Sequence, residues 1–207
     1  MGLEREWYHN HNNDATDARN HHYRYPLIQY LRRRGQPTIL FIGEAVREAR
    51  YFLERSDWTL RLHGKEQPVR LGTMHAEQFE LRDTGNQFRE YQLSNWLALN
   101  QHNYERYESL DRLSDRIALL EKVLSGQLLA LASGIGVTLE QRFDLFLTDL
   151  DRPRVVPYRD TKMMSFRARF RVNLQLPVGF GVGKGVSIGH GRLYPYEEPE
   201  ATKPEEV

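Results

Sequence analysis

Apolar and polar residues alternate along several short stretches in the first half of the chain, and a period of two is typical of strands that bury one face. Between two of these stretches, Ala45, Ala49 and Phe52 recur at helical spacing and predict a helix from Glu44 to about Arg55. The resulting order, β-β-α-β, is that of a ferredoxin-like unit lacking its first strand and most of its first helix. The predicted strands are Tyr23–Leu31, Pro37–Gly43 and Trp58–His63, with extended pieces at Val69–Gly72 and Phe79–Leu81.

The second half of the chain repeats this plan. Leucines and an isoleucine at three- and four-residue spacing predict a long helix from Tyr104 into Ser133 with one buried stripe. We therefore expect an α+β fold of two tandem ferredoxin-like domains, 1–87 and 88–195, the first lacking its N-terminal strand, followed by a tail at 196–207. The strands predicted in this half are Phe88–Leu97, Glu140–Asp149, Val155–Arg159, Met164–Leu174 and Ile188–Tyr194.

The composition is that of a folded protein, with 40% hydrophobic and 11% aromatic residues among 207. No apolar run approaches the roughly 20 residues of a membrane span, and no secretory signal opens the chain. The absence of cysteine excludes a disulfide framework and a thiolate zinc site. A cytoplasmic location without membrane contact fits these features.

The net charge of +1 conceals an uneven distribution of charge along the chain. Residues 152–171 carry seven Lys or Arg against one acid, which indicates a polyanionic partner. The segment from Tyr196 to Val207 instead carries five Glu between prolines, so it is expected to be a disordered acidic tail.

A glycine-rich segment lies between these two charged regions, with six glycines in the thirteen positions from 179 to 191. Two physical demands favour glycine so strongly: positive φ angles, or the close approach of another chain to the backbone. Exposed N–H groups in such a loop bind anions, and Lys184 adds a cation. A flexible linker is the alternative, but the interleaved valines and Phe180 are too apolar for one.

The strand before this segment, Phe166–Asn173, alternates apolar residues with Arg167, Arg169 and Arg171. A single alternation of this kind is also typical of a surface strand whose polar face contacts only solvent. Because three arginines without an interleaved acid repel one another, an anion on that face is favoured.

The glycine-rich segment resembles a signature of the RAMP superfamily of CRISPR-associated proteins: Gly181-Val-Gly183, five residues, then Gly189-His-Gly191. Its wording, LPVGFGVGKGVSIGHG, is similar in particular to the repeat-processing endoribonucleases of the sixth Cas family, b branch. Three further segments resemble that branch, and with the loop they span most of the chain: His9-Asn10-His11, Tyr23–Tyr30 and Leu93–Tyr104.

The resemblance implies an enzyme that binds the CRISPR repeat in precursor CRISPR RNA and cuts it once, without metal or cofactor, by attack of the ribose 2′-OH on the adjacent phosphate. His9 and His11 then occupy the catalytic positions, with Tyr23 or Tyr25 as the supporting hydroxyl; which histidine is the base is open. The expected RNA contacts are Gly181, Gly183, Lys184, Gly185, Ser187, Gly189, Gly191, Arg167, Arg169 and Arg171. Besides repeat RNA, subunits of a CRISPR effector complex and a second copy of the chain are candidate partners.

Other interpretations stay open at this point. Judged alone, the histidines at 9, 11, 21 and 22 are those of an exposed polar loop, or could gather a divalent ion. A non-catalytic RAMP-type RNA-binding subunit of an effector complex is the alternative function, favoured by the missing first strand. A dinucleotide site is disfavoured because position 186 is valine where Gly-x-Gly-x-x-Gly requires glycine.

Overall fold

The computed structural model describes residues 25–54, 58–62 and 64–197, without the side chains at 52, 60 and 62. The predicted catalytic residues His9, His11 and Tyr23 lie outside the described residues, as do residues 198–207 of the predicted tail. The prediction that the first domain lacks its N-terminal strand also concerns residues outside the described part. Tyr25 and all the predicted RNA contacts lie inside it.

The first half contains two antiparallel hairpins and a short helix. The first hairpin turns at Arg34 and Gly35, whose φ angles of 50° and 84° suit a tight two-residue turn. The predicted strand at Tyr23–Leu31 is too long, because Tyr25, Pro26 and Leu27 precede the first ladder pair. No strand forms in the described stretch 69–81, where two extended pieces were predicted. The elements are β1 (Ile28–Arg33), β2 (Gln36–Phe41), α1 (Val46–Leu53), β3 (Thr59–Leu62), β4 (Lys65–Pro68) and β5 (Arg82–Asp83).

The second half forms an antiparallel sheet with the strand order β11-β6-β9-β7, and β8 pairs with the outer part of β9. Taken as β6, helices, β7, β9 and β11, this is the βαββαβ plan of a ferredoxin-like domain. The glycine-rich segment takes the place of the second helix. The elements are β6 (Arg89–Trp96), α2 (Gln101–Glu108), α3 (Leu113–Gly134), β7 (Leu145–Leu150), β8 (Arg154–Tyr158), β9 (Thr161–Val172), β10 (Leu174–Gln175) and β11 (Arg192–Pro195).

The predicted long helix is two helices, α2 and α3, because Arg112 is extended with φ −88° and ψ 135°. Asn100 caps α2 by accepting a hydrogen bond from the Asn103 N–H. By length and composition alone α3 could cross a membrane, although charged residues interrupt its apolar sequence. Its leucine stripe belongs to the same core as Phe166 and Phe170 of β9, which is how the core helix of a globular domain packs.

Two adjacent leucines of α3 allow the energetic contribution of this packing to be measured. Leu128 is fully buried, whereas its neighbour Leu129 is 50% exposed. We expect Leu128→Ala to lower the free energy of unfolding by about 2–5 kcal/mol, since it removes buried methyl groups and leaves a cavity. Leu129→Ala should change it by less than about 0.5 kcal/mol. Urea unfolding of both variants tests this, and equal losses would contradict the assigned helix face.

Candidate functional site

The glycine-rich segment is a packed loop fixed to the end of β6, so the linker interpretation is wrong. The Lys184 N–H donates to the Leu97 carbonyl at 3.1 Å, and the Gly191 N–H donates to the Asn95 carbonyl at 2.9 Å. Within the loop, the Val182 N–H donates to the Gly191 carbonyl at 2.7 Å. These bonds cross-link the two glycine pairs of the motif and give the loop one defined shape.

Contacts and backbone angles within the protein explain why these positions are glycine. Gly181 has an ordinary φ, but a Cβ there would lie 2.6 Å from Cγ1 of Val186. At Gly191, with φ 66°, a Cβ would overlap the carbonyl of Val182. Positive φ angles and close approach within the chain therefore account for the glycines without an outside chain. The glycines of this segment with positive φ are Gly179, Gly183, Gly185, Gly189 and Gly191.

Several N–H groups expected to bind an anion already donate within the protein. The Gly181 N–H donates to Oε1 of Gln29 at 3.1 Å, and the Gly189 N–H donates to the Val186 carbonyl at 3.1 Å. Those of Lys184 and Gly191 are also bonded, as described above. These four groups are not available to a phosphate in this arrangement, so an anion at the loop would have to contact other groups around it.

A buried polar cluster ties the start of β1 to the loop. The Tyr25 hydroxyl donates to the Gly181 carbonyl at 2.9 Å and accepts from Nε2 of Gln29 at 2.9 Å. Oε1 of Gln29 also accepts from Nη1 of Arg192 at 3.1 Å. Burial raises the pKa of Tyr25 well above its usual value, so the phenol stays protonated near neutral pH. Tyr25 itself precedes β1 and lies in no strand.

The β8–β9 hairpin carries much of the predicted basic stretch and packs against the loop. The Tyr158 ring contacts the His190 ring edge-on, with centroids 5.8 Å apart, and a Cβ at Gly185 would lie 2.8 Å from Tyr158. Arg154 and Lys162 are exposed on the hairpin. Arg159, at the turn of the same hairpin, lies over the Tyr158 ring at 5.7 Å from its centroid, so the hairpin brings a positive charge beside the glycine-rich loop.

The three arginines of β9 lie on the sheet face away from α3, and each has neighbours supplied by other strands. Arg169 donates to Asp149 of β7 at 2.7 Å and lies over the Tyr196 ring at 4.5 Å from its centroid. Arg171 lies over the rings of Phe88 and Phe146, and Nη2 of Arg167 donates to Gln92 at 3.3 Å. Thus the acid absent along β9 is present across the sheet, and these guanidinium groups are held in place. The predicted tail is anchored at its first residue, Tyr196, through Arg169.

A groove between β1, the end of β6, the loop and β11 was not predicted. Its lining includes Tyr30, Arg32, Asn95, Ile188, Arg192 and Tyr194, with His190 at the loop. Two sequence signals point to it: Arg192 directly follows the last motif glycine, and Tyr194 lies two residues further along β11, on the same face.

Two family sequence models cover almost the whole of this architecture. Residues 2–80 match the Cas6b N-terminal domain, and residues 83–196 match the Cas6b C-terminal domain. The chain belongs to the Cas6b family. The resemblance to the b branch of the sixth Cas family is thereby confirmed. A further relative, the uncharacterized protein MJ0978 of Methanocaldococcus jannaschii, is 35% identical over 106 residues, which are 51% of this chain and 71% of that protein.

Solved structures support the fold as well. The crystal structure of Cas6b is 26% identical, with a TM-score of 0.80, and the match covers 94% of this chain and 86% of that one. The CRISPR RNA processing endoribonuclease Cas6b is 27% identical, with a TM-score of 0.68 and coverage of 84% and 83%. Csf5, a type IV Cas6 crRNA endonuclease, shares the fold at 16% identity, a TM-score of 0.55 and coverage of 83% and 68%. The predicted α+β fold with tandem RAMP-like domains is confirmed.

Proposed function

We propose that this Cas6b family member binds the CRISPR repeat and cuts precursor CRISPR RNA. The observation that carries the proposal is the match of both halves of the chain to Cas6b domains, together with a solved Cas6b described as a CRISPR RNA processing endoribonuclease. The geometry is suited to RNA, because a basic hairpin packs against the signature loop and arginines line one face of the sheet.

In this proposal the loop and the β9 arginines together form the RNA-binding surface. Arg169 and Arg171 are held by Asp149 and by aromatic rings, so little side-chain freedom remains to be lost when a phosphate binds. Arg167 is exposed, and among the described residues its guanidinium makes one hydrogen bond, the 3.3 Å contact to Gln92, which a phosphate can replace. Lys184 and Ser187 supply a cation and a hydroxyl at the loop itself.

The proposed reaction is a metal-independent transesterification. One of His9 and His11 removes the proton of the ribose 2′-OH, whose oxygen attacks the adjacent phosphorus. The other histidine protonates the departing 5′ oxygen, which leaves a 2′,3′-cyclic phosphate and a free 5′-OH. Imidazole suits both transfers, because its pKa near 6.5 lets it act as base and as acid at neutral pH. Tyr23 is the supporting hydroxyl that fits best, since the Tyr25 hydroxyl is engaged in the buried cluster.

The full chain incubated with end-labelled repeat RNA in excess EDTA tests this proposal. We expect a single cut at unchanged rate in the chelator, with a 5′ product whose 2′,3′-cyclic phosphate resists phosphatase until acid opens the ring. A repeat with 2′-deoxyribose at the cut site is the matched control and should bind without being cleaved. Cleavage lost in EDTA, or cleavage of the deoxy substrate, would reject the mechanism.

The same assay also distinguishes the alternative function, RNA binding without cleavage. A non-catalytic RNA-binding subunit of an effector complex would bind the repeat, with a salt slope near −0.7 per phosphate contact, and leave it uncut. The features described for RNA binding do not depend on His9 or His11, so they serve either function. We also propose the division into domains 1–87 and 88–195, a cytoplasmic location, and effector subunits or a second copy as further partners.

A further inference from the structure

The groove beside β11 is an open site of a size suited to a small ligand. Its volume of about 550 Å³ lies within the range of roughly 300–1,000 Å³ typical of ligand pockets. It runs along β1 and the Gly189-His190 segment, where a Cβ at Gly189 would lie 3.1 Å from the Tyr30 carbonyl. The proposed loop and arginine contacts do not use its side chains.

Arg192 supplies a buried positive charge at this groove. Its side chain donates to Gln29, yet its Nε has no hydrogen-bond partner within the described chain, and the residue is only 9% exposed. No carboxylate pairs with it among the described residues; the Tyr194 hydroxyl hydrogen-bonds its side chain, and the nearby Arg33 adds a like charge. Burial lowers the pKa of Arg192, because the charged form is poorly solvated there. An anion in the groove would compensate this charge.

Two aromatic rings line the same groove. Tyr30 is 41% exposed and Tyr194 is 43% exposed, so both rings offer apolar surface to a planar ligand. Asn95 lies at the irregularity in the β6–β9 ladder, with a φ of 49°, and its exposed amide can both donate to and accept from a base edge. An anion site beside aromatic rings and an amide matches a nucleotide better than it matches a carboxylate or a free phosphate.

We propose that this groove binds one unpaired nucleotide of the RNA, with its phosphate toward Arg192 and its base against Tyr30 and Tyr194. This inference rests on the proposed RNA-binding function and specifies that the groove binds an unpaired nucleotide. The nucleotide is unpaired because a base inside a duplex is already stacked and cannot reach a side-chain ring. The groove therefore reads a single-stranded part of the repeat.

Fluorescence anisotropy with the full chain and a 5′-fluorescein-labelled ten-uridine RNA tests the stacking contacts. Tyr194→Ala and Tyr30→Ala should each weaken binding by about tenfold or more, as expected when a base loses an aromatic partner. Tyr30→Phe keeps the ring without touching Arg192 and should bind like the wild type, whereas the Tyr194 hydroxyl hydrogen-bonds the Arg192 side chain. Tyr104→Ala, at a 39% exposed tyrosine on α2, is the matched control and should also bind like the wild type.

The charge contact is tested through the salt dependence of the same binding. Arg192→Gln should reduce the slope of log K against log salt by about 0.7, the value for one phosphate contact to a single strand. Because Arg192 is buried, the melting temperature of this variant is measured in parallel. Arg32→Gln, at an exposed arginine of the same groove, gives a charge-removing variant that does not disturb a buried residue.

The outcomes separate this inference from the proposed function. If the tyrosine-to-alanine variants are folded and bind ten-uridine RNA like the wild type, the groove assignment is overturned while RNA binding stands. Equal weakening of binding to fluorescein-labelled poly-glutamate would show a general polyanion surface and also overturn it. If the wild type binds and cuts hairpin repeat RNA but does not bind ten-uridine RNA, only the unpaired nucleotide is rejected. If it neither binds nor cuts repeat RNA, the proposed function itself fails.

Discussion

Replacing His9 or His11 by alanine is expected to slow repeat cleavage by roughly 10²–10⁴-fold in each single variant, while RNA binding persists. The reason is that each histidine is proposed to move one proton in the same transition state, whereas the residues proposed to bind RNA include neither of them. Single-turnover cleavage of labelled repeat RNA measures the rate, and anisotropy under the same conditions measures affinity. The double variant should be little slower than the slower single variant, because both transfers belong to one step.

The pH dependence of the single variants assigns the two roles. The wild type should show a bell-shaped profile with limbs set by the base and the acid. Loss of the acidic limb identifies the base, since its protonation inactivates the enzyme at low pH; loss of the alkaline limb identifies the acid. His75→Ala and His102→Ala, at two exposed histidines, are matched controls and should leave rate and profile unchanged. Wild-type rates in both the His9 and His11 variants would place the chemistry elsewhere.

The fold was largely predictable because its strongest signals are local periodicities. The leucine stripe of α3 and the alternation along β9 each follow from the need to bury one face. The break between α2 and α3 at Arg112 was not predictable from that stripe. Apolar residues keep a three- to four-residue spacing on both sides of Arg112, so the pattern looks like that of one continuous helix. The short strands β4 and β5 were also missed; β4 is exposed throughout and β5 has only two residues, so neither shows a hydrophobic pattern.

The site was predictable only where its residues are close together in sequence. The signature loop and the arginine strand were found because their patterns are continuous in sequence. The role of Asp149 beside Arg169, and the stacking of Phe88 and Phe146 on Arg171, depend on sheet register. The groove lies between β1 and β11, which are more than 150 residues apart in sequence. The hydrogen-bonded pair Tyr25 and Gly181 is separated by a similar distance along the chain, and a local sequence pattern cannot predict contacts of this kind.

Substituting Gly191 by alanine is expected to lower the free energy of unfolding by about 2–5 kcal/mol, from a left-handed backbone that alanine disfavours and from steric overlap. Its φ is 66°, and a Cβ there would overlap the Val182 carbonyl, whose chain segment is fixed by the Val182–Gly191 hydrogen bond. For a chain of this size the melting temperature should fall by roughly 5–15 °C. Differential scanning calorimetry measures the shift.

Two other glycines separate the causes of this loss. Gly136 has φ 78° with open space around its Cβ position, so Gly136→Ala carries the backbone cost alone, about 1–2 kcal/mol. Gly126 lies within α3 with open space, so Gly126→Ala should stabilise the protein by about 0.5–1 kcal/mol. If Gly191→Ala melts like the wild type but loses RNA binding, the glycine serves RNA approach rather than packing. A loss of both in parallel, exceeding that of Gly136→Ala, means that the signature glycines act on RNA through the shape of the folded loop.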